Sequence, residues 1–561
     1  MPDSPTLLTS VLALGLLGCA TGDQPTVPDP SPTADTGALP PVDADGDGVP
    51  ADEDCDDADP EVGAGMPTYA DVDRDGYGDP ATERSECTLT EGRVTNADDC
   101  DDAHAEASPD GVEICDGLDN DCDPTTSEEG RVERTDPDGV RTDDAAAWTA
   151  GTKGAPTPLT LDAPATFDVC GVHAYVTLDI QTDVAIRGHG AAILDGGGTA
   201  RVLRSVGASG GPEAPAHTLT LSGLTVQGGA QERFGTGAFV SRSALVLEDV
   251  TFTDNVTNAG GTGGALFVSD GTVTANGGTF VGNAARTAAA VGGTGSIGRF
   301  TDTTFTDNGG QYLDEPITTV EAGAIRWAGS LLTLDGVALS DHTASGGGAV
   351  LATSVDLTLR DVVWERNVSD GLAGALWLSD SVVTMEGGRF EDNHAGTVGG
   401  AVYVEVSTLV GSGGTEFRGN TAGTDGAAAY LTRASTVDLD QARFVDNAAS
   451  RHGGALYVDE DVIAAVSGST LQANRALFGG GAYYAGGQLT LSDNDWTDNV
   501  ATTAGGALYT LATGPLEFVD ADNEDFSGNT PQDHQHAPSQ TDYTWGLGAS
   551  FECTEALAGC G

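Results

Sequence analysis

The chain has 561 residues and a formal net charge of −63, with a single lysine, Lys153, against 86 acidic residues. That balance excludes a nucleic-acid polyanion as partner, because no basic patch exists to release counterions, and it directs attention to bound cations. Eighty glycines, three methionines and 6% aromatics describe a turn-rich β protein rather than an enzyme with a conventional core.

Residues 7–18 form an apolar run too short to cross a bilayer as a helix. The run ends in Leu16-Leu17-Gly18-Cys19, which resembles the lipobox of bacterial lipoproteins. The resemblance implies a signal peptide over 1–18, lipidation of Cys19 and, with Ala20 next, sorting to the outer membrane. The preceding MPDSPT lacks the basic residue such signals usually carry. Residues 19–41 contain six prolines and no apolar periodicity. They read as a semi-rigid spacer, at about 3.1 Å per residue reaching roughly 60 Å.

Residues 42–145 form an Asp-rich module. Between Asp23 and Asp144 lie 38 acidic residues and six arginines, a segment that repels itself unless cations bind. In DADGDGVPADED, Asp43, Asp45 and Asp47 hold positions 1, 3 and 5 of an EF-hand-like loop, with Gly48 at 6, the Val49 carbonyl at 7 and Asp54 at 12. DVDRDGYGD repeats the spacing with Asp71, Asp73, Asp75 and Gly76, then the Tyr77 carbonyl and Asp79. Its twelfth residue is Thr82, so further ligands must come from elsewhere, and Asp99 and Asp101 of DDCDD supply them. Asp116, Asp119 and Asp121 of CDGLDNDCD form a third cluster. A set of hard oxygen donors selects calcium.

Eight cysteines remain beyond Cys19, an even number that implies disulfides in an exported chain. Cys553 and Cys560 are isolated together in a cap over 541–561 and are expected to pair. Cys115 with Cys122 and Cys87 with Cys100 are the expected neighbours in the acidic region. The module resembles thrombospondin type-3 calcium repeats. It is more similar to the metal-binding repeats of bacterial surface proteins, in which D-C-D-D precedes C-D-G-x-D-N-D-C-D. One relative of that family binds copper, but no His or Met cluster favours copper here.

Residues 155–540 repeat. F-x-x-N or a variant recurs at Phe252, Phe280, Phe305, Trp364, Phe390, Phe417, Phe444, Leu471, Trp496 and Phe526, with a degenerate LSDH at Leu339. A second signal, G-A before an apolar tetrad, runs out of phase with it. A period near 27 with two-residue alternation predicts an all-β solenoid of some fourteen coils, each with three short strands. The repeated Asn is expected to take the left-handed turn conformation and to hydrogen-bond between coils, while the repeated Phe stacks inside. The paired signals over about 220–530 resemble the repeats of chlamydial polymorphic outer-membrane proteins. That implies a right-handed parallel β-helix of the pectin-lyase type.

The residue two after each G-A alanine is expected to point outward. Trp377, Tyr403, Tyr430, Tyr457, Tyr484 and Tyr509 then form an aromatic column, read either as a stabilising stack or as a binding strip for an extracellular glycan or surface protein. No triad or zinc motif occurs, and Asp254, Asp307, Asp392, Asp446 and Asp498 recur once per coil rather than as a catalytic pair. No catalytic residue is assigned. Together these features read as a surface lipoprotein for adhesion or display, held to the membrane through its lipid only. A polysaccharide lyase or hydrolase of the same fold is the alternative.

Overall fold

A computed structural model describes residues 43–536 apart from 127, 149–150, 154, 259, 310, 313–314, 317–320, 512–515, 519–524 and 532–533. Cys19, the spacer and the Cys553–Cys560 cap lie outside the described residues. The chain divides into two units, ending and starting at Ala105 and Glu106.

In the first unit Met66–Ala70 is the centre of a three-stranded antiparallel sheet, flanked by Asp79–Glu86 and Arg93–Val94. No apolar side chain among its described residues is buried. The Arg93 guanidinium instead ties the sheet together, donating to the Thr68 carbonyl (2.5 Å), the Thr82 carbonyl (2.7 Å) and the Thr68 hydroxyl (2.9 Å). A disulfide joins Cys55 to Cys87. A unit without a hydrophobic core relies on such covalent and ionic constraints.

The second unit is a parallel β-solenoid of about twelve coils, fewer than the fourteen expected. One coil shows the plan. Leu376–Ser379, Val382–Glu386, Arg389–Glu391 and the two-residue His394–Ala395 each pair in parallel with their equivalents one coil on. Alternation buries Leu376, Leu378, Val383, Met385 and Phe390 while the intervening residues face out. In three coils the first two strands run on as Val291–Thr301, Ile325–Asp335 and Val350–Arg360. Gly293 and Gly298 leave the space that Trp327 fills, since a Cβ on either would lie within 2.8 Å of the indole.

At the amino-terminal end of the solenoid, Val132–Thr135 pairs antiparallel with Ala165–Ala174. Trp148, on a four-residue helix, packs against Phe167 at 5.4 Å. Cys115 is bonded to Cys170, 55 residues away, and Cys122 and Cys100 are each disulfide-bonded. The expected pairs Cys115–Cys122 and Cys87–Cys100 therefore do not form. Sequence proximity misled, because the chain returns through strand pairing to bring distant cysteines together.

The phenylalanines stack inside. Phe252, Phe280 and Phe305 lie 4.7–5.0 Å apart, and Trp364, Phe390, Phe417 and Phe444 lie 4.9–5.2 Å apart, all nearly parallel. The asparagines behave differently from expectation. The left-handed residue is the one before them, Asp254, Asp307, Arg366, Asp392, Asp446, Ala473 or Asp498, with φ between 49° and 56°. The Asn itself is buried and works as a ladder. Asn420 Oδ1 accepts from the backbone N–H and the side-chain amide of Asn393, both at 3.0 Å, while Asn420 Nδ2 donates to the Phe390 carbonyl at 2.9 Å. The same three bonds recur at Asn447, Asn474, Asn499 and Asn529. The turn goes to a short or flexible residue so that the amide is free for the interior.

The aromatic column forms, with one substitution and a different exposure. Tyr457 is in register with Tyr483, not Tyr484, because Gly481 takes the alanine place. Tyr484 points inward and belongs to the main core. Tyr403–Tyr430–Tyr457–Tyr483–Tyr509 are stacked with centroids 4.5–5.6 Å apart, and Trp377 meets Tyr403 edge-on at 5.7 Å. Tyr403, Tyr483 and Tyr509 are buried. Burial pushes the Tyr403, Tyr430 and Tyr483 phenols up to about 12 and raises Tyr457 further. From Tyr403 to Tyr509 neighbouring rings occupy one another's faces, the arrangement of a stabilising stack. His534–His536 is a strand paired in parallel with Leu508–Thr510.

Candidate metal centre

The first loop turns on Gly46 and Gly48, with φ of 81° and 96°. Asp43 accepts from the Gly46 and Gly48 N–H groups at 2.7 and 3.1 Å, Asp45 from Asp47 at 3.1 Å, and Asp47 from Val49 at 2.8 Å. Each carboxylate is thus aimed by the backbone two to five residues on. Ligand oxygens of Asp43, Asp45 and Asp47 lie within 4.8 Å of one another. Burial, with smaller repulsion from Asp47, Asp54 and Asp43, raises the Asp45 carboxyl, while Asp54 is not among the clustered oxygens.

The second loop repeats the Asx geometry. Asp73 accepts from Asp75 at 3.1 Å and Asp75 from Tyr77 at 2.7 Å, about Gly76 at φ 98°. The missing ligands come from the 98–102 segment. Asn96 ties it down, accepting from Gly78 at 3.0 Å and donating to the Gly76 carbonyl at 2.9 Å. Two sets of oxygens form, each within 4.8 Å: Asp71, Asp73 and Asp102, and Asp73, Asp75 and Asp99. Desolvation first, then the neighbouring carboxylates, push Asp73 and Asp99 above the ordinary aspartate value.

Asp102, absent from the sequence reading, is in the cluster, and Asp101 is not. Asp101 Oδ2 lies 2.8 Å from His104 Nδ1, which holds its carboxyl low. The clustered Asp99 and Asp102 stand one before and two after Cys100, and DDCDD sets a second acid beside each, so spacing alone does not choose between them. Asp79 accepts from the Ala81 N–H at 2.7 Å and joins neither set. Val49 and Tyr77 are fixed through their N–H groups to Asp47 and Asp75.

In the second unit Asp119 and Asp121 come together with the buried Glu113, again within 4.8 Å. Asp116 instead accepts from the Leu118 N–H at 3.0 Å, and its own N–H is held by Glu128. Glu113 was missed because it lies two residues outside the repeat.

The decisive observation is the set of buried carboxylate oxygens with no hydrogen-bond partner: Asp45 Oδ2, Asp54 Oδ2, Asp71 Oδ1, Asp73 Oδ2, Asp75 Oδ2 and Asp99 Oδ2. Buried acceptors without donors carry a desolvation cost of several kcal/mol for a charged group. A cation removes it, so the residues fit a metal ion.

A family model described as "Putative metal-binding motif" matches residues 54–72 and 99–128. The two stretches hold Asp54, Asp71, the 99–102 segment and the Glu113–Asp121 cluster. No curated protein and no solved structure matches the chain. The matched motif and the clustered oxygens both point to a metal ion in the acidic region.

Proposed function

We propose that the chain is an exported, lipid-anchored surface protein in which calcium organises the Asp-rich unit and the solenoid serves adhesion or display. The unpartnered carboxylate oxygens carry this reading. The donors are hard oxygens without a sulfur or imidazole among them, which favours calcium over copper or zinc. The lipobox-like Leu17-Gly18-Cys19 supplies the anchor and the prolines of 19–41 the spacer. The acids Asp254, Asp307, Asp392, Asp446 and Asp498 serve as turn residues, one to a coil. That favours a scaffold over a glycosidase, which needs two converging carboxylates. The ligand class is an extracellular glycan or a surface protein.

Cells bearing the full chain test the reading. A calcium chelator is expected to abolish attachment and to open residues 43–105 to protease, with calcium restoring both. Attachment and protease resistance indifferent to chelation would overturn it. Cys19→Ala is expected to release the protein from membranes, and its retention after a carbonate wash would rule out the lipid anchor.

A further inference from the structure

The two EF-hand-like loops gather their ligands differently. In the first, positions 1, 3 and 5 meet in one set, Asp43, Asp45 and Asp47. In the second, the corresponding Asp71 and Asp75 fall in different sets, each completed by a residue of the 98–102 segment, and Asp73 belongs to both. We propose that the second loop holds two divalent cations bridged by the Asp73 carboxylate. One ion lies with Asp71 and Asp102, the other with Asp75 and Asp99. The proposal rests on the cation-binding reading above and adds its stoichiometry and architecture.

Three observations support it. Each set has its own unpartnered buried oxygen, Asp71 Oδ1 in one, Asp75 Oδ2 and Asp99 Oδ2 in the other. A single ion would satisfy one set and leave the other's acceptors stranded. Asp99 is only 5% exposed, so water does not replace the missing donor. The five carboxylates Asp71, Asp73, Asp75, Asp99 and Asp102 also crowd together, with the oxygens of each set within 4.8 Å of one another. One divalent cation leaves a formal charge of −3 on those five groups, and two leave −1. A carboxylate carries two oxygens with lone pairs to spare. Asp73 Oδ1 accepts one N–H at 3.1 Å and Oδ2 accepts none, so both retain capacity for a metal.

Calcium is counted on the full, oxidised chain by native mass spectrometry and by metal analysis after gel filtration. Asp73→Asn is expected to lose two ions, Asp102→Asn one, and Asp101→Asn none. Asp102→Asn keeps the oxygen that accepts from the Val72 N–H at 2.6 Å, so the loop retains its backbone hydrogen bond in that variant. With manganese as probe, electron paramagnetic resonance of the wild type is expected to show a spin-coupled pair that persists in Asp101→Asn and vanishes in Asp73→Asn and Asp102→Asn. If Asp73→Asn and Asp102→Asn each lose the same single ion and manganese gives isolated-ion spectra, the bridge is wrong while cation binding stands. If neither variant changes the count, the second loop binds no ion and the cation-binding reading fails there too.

Discussion

Asn420 shows how much one amide does inside a coil. It accepts two bonds from Asn393 and donates one to Phe390, all buried. Asn420→Ala strands those groups at about 1–3 kcal/mol each, so a loss of several kcal/mol is expected in denaturant unfolding of the solenoid. His342 is the ladder's irregular rung. Its Nδ1 lies 3.1 Å from the Asn308 N–H donor, but Nε2 has no partner, and burial pushes the imidazole down to about 4. The unfolded chain protonates near 6.5 and the folded chain only near 4, so stability is full above the first value and falls as pH drops between them. The shift corresponds to roughly 3 kcal/mol. His342→Asn is expected to remove that acid sensitivity, read as a melting temperature that no longer falls between pH 6.5 and 4.

At the scale of the element, the acidic loops respond to pH with opposite signs in the two metal states. Asp73 and Asp99 are raised above 3.8 by folding, so the folded loop holds its proton more tightly than the unfolded one. In chelator, acidification toward the window just above 3.8 is expected to strengthen the loop, and raising the pH to remove that gain. With calcium the carboxylates must be ionised, so acid is expected to weaken it. Protease resistance of residues 43–105, followed across pH with and without calcium, checks both slopes. The loops were legible in the sequence because DxDxDG spacing is local and the glycine at position 6 has to take a positive φ. What was not legible came from elsewhere in the chain. The choice of Asp102 over Asp101, the recruitment of Glu113 and the Cys115–Cys170 bond depend on how separate segments lie together. The inward Phe stack and outward alternation followed from period two. The slip from Tyr484 to Tyr483 did not, since GGGA offers two registers and only the coil below selects one.

At the scale of the molecule, stability is distributed unequally. The solenoid has a continuous apolar core running from Val132 to Leu508, whereas residues 43–105 bury no apolar side chain among those described. Reduction of Cys55–Cys87 together with chelation is therefore expected to unfold the first unit while the solenoid's melting transition stays put. Hydrogen exchange resolved along the chain measures the two separately. Coincident loss of protection in both would show that the solenoid depends on the acidic unit.

The asparagine ladder has one further consequence. Every rung from Asn367 to Asn529 asks of its neighbour the same oxygen at the same height. A rung therefore cannot tell which coil lies next to it. Excising residues 394–420 joins Asn393 to the coil that carries Asn447 and offers it the same acceptor and the same inward Phe444 in place of Phe417. Such a chain is a shorter copy of the same object, and duplicating the segment gives a longer one. Removing half a coil instead turns every later strand out of phase with the ladder. The gene can accordingly lengthen or shorten this protein in whole-coil steps, and length becomes a trait that varies without the fold having to be reinvented.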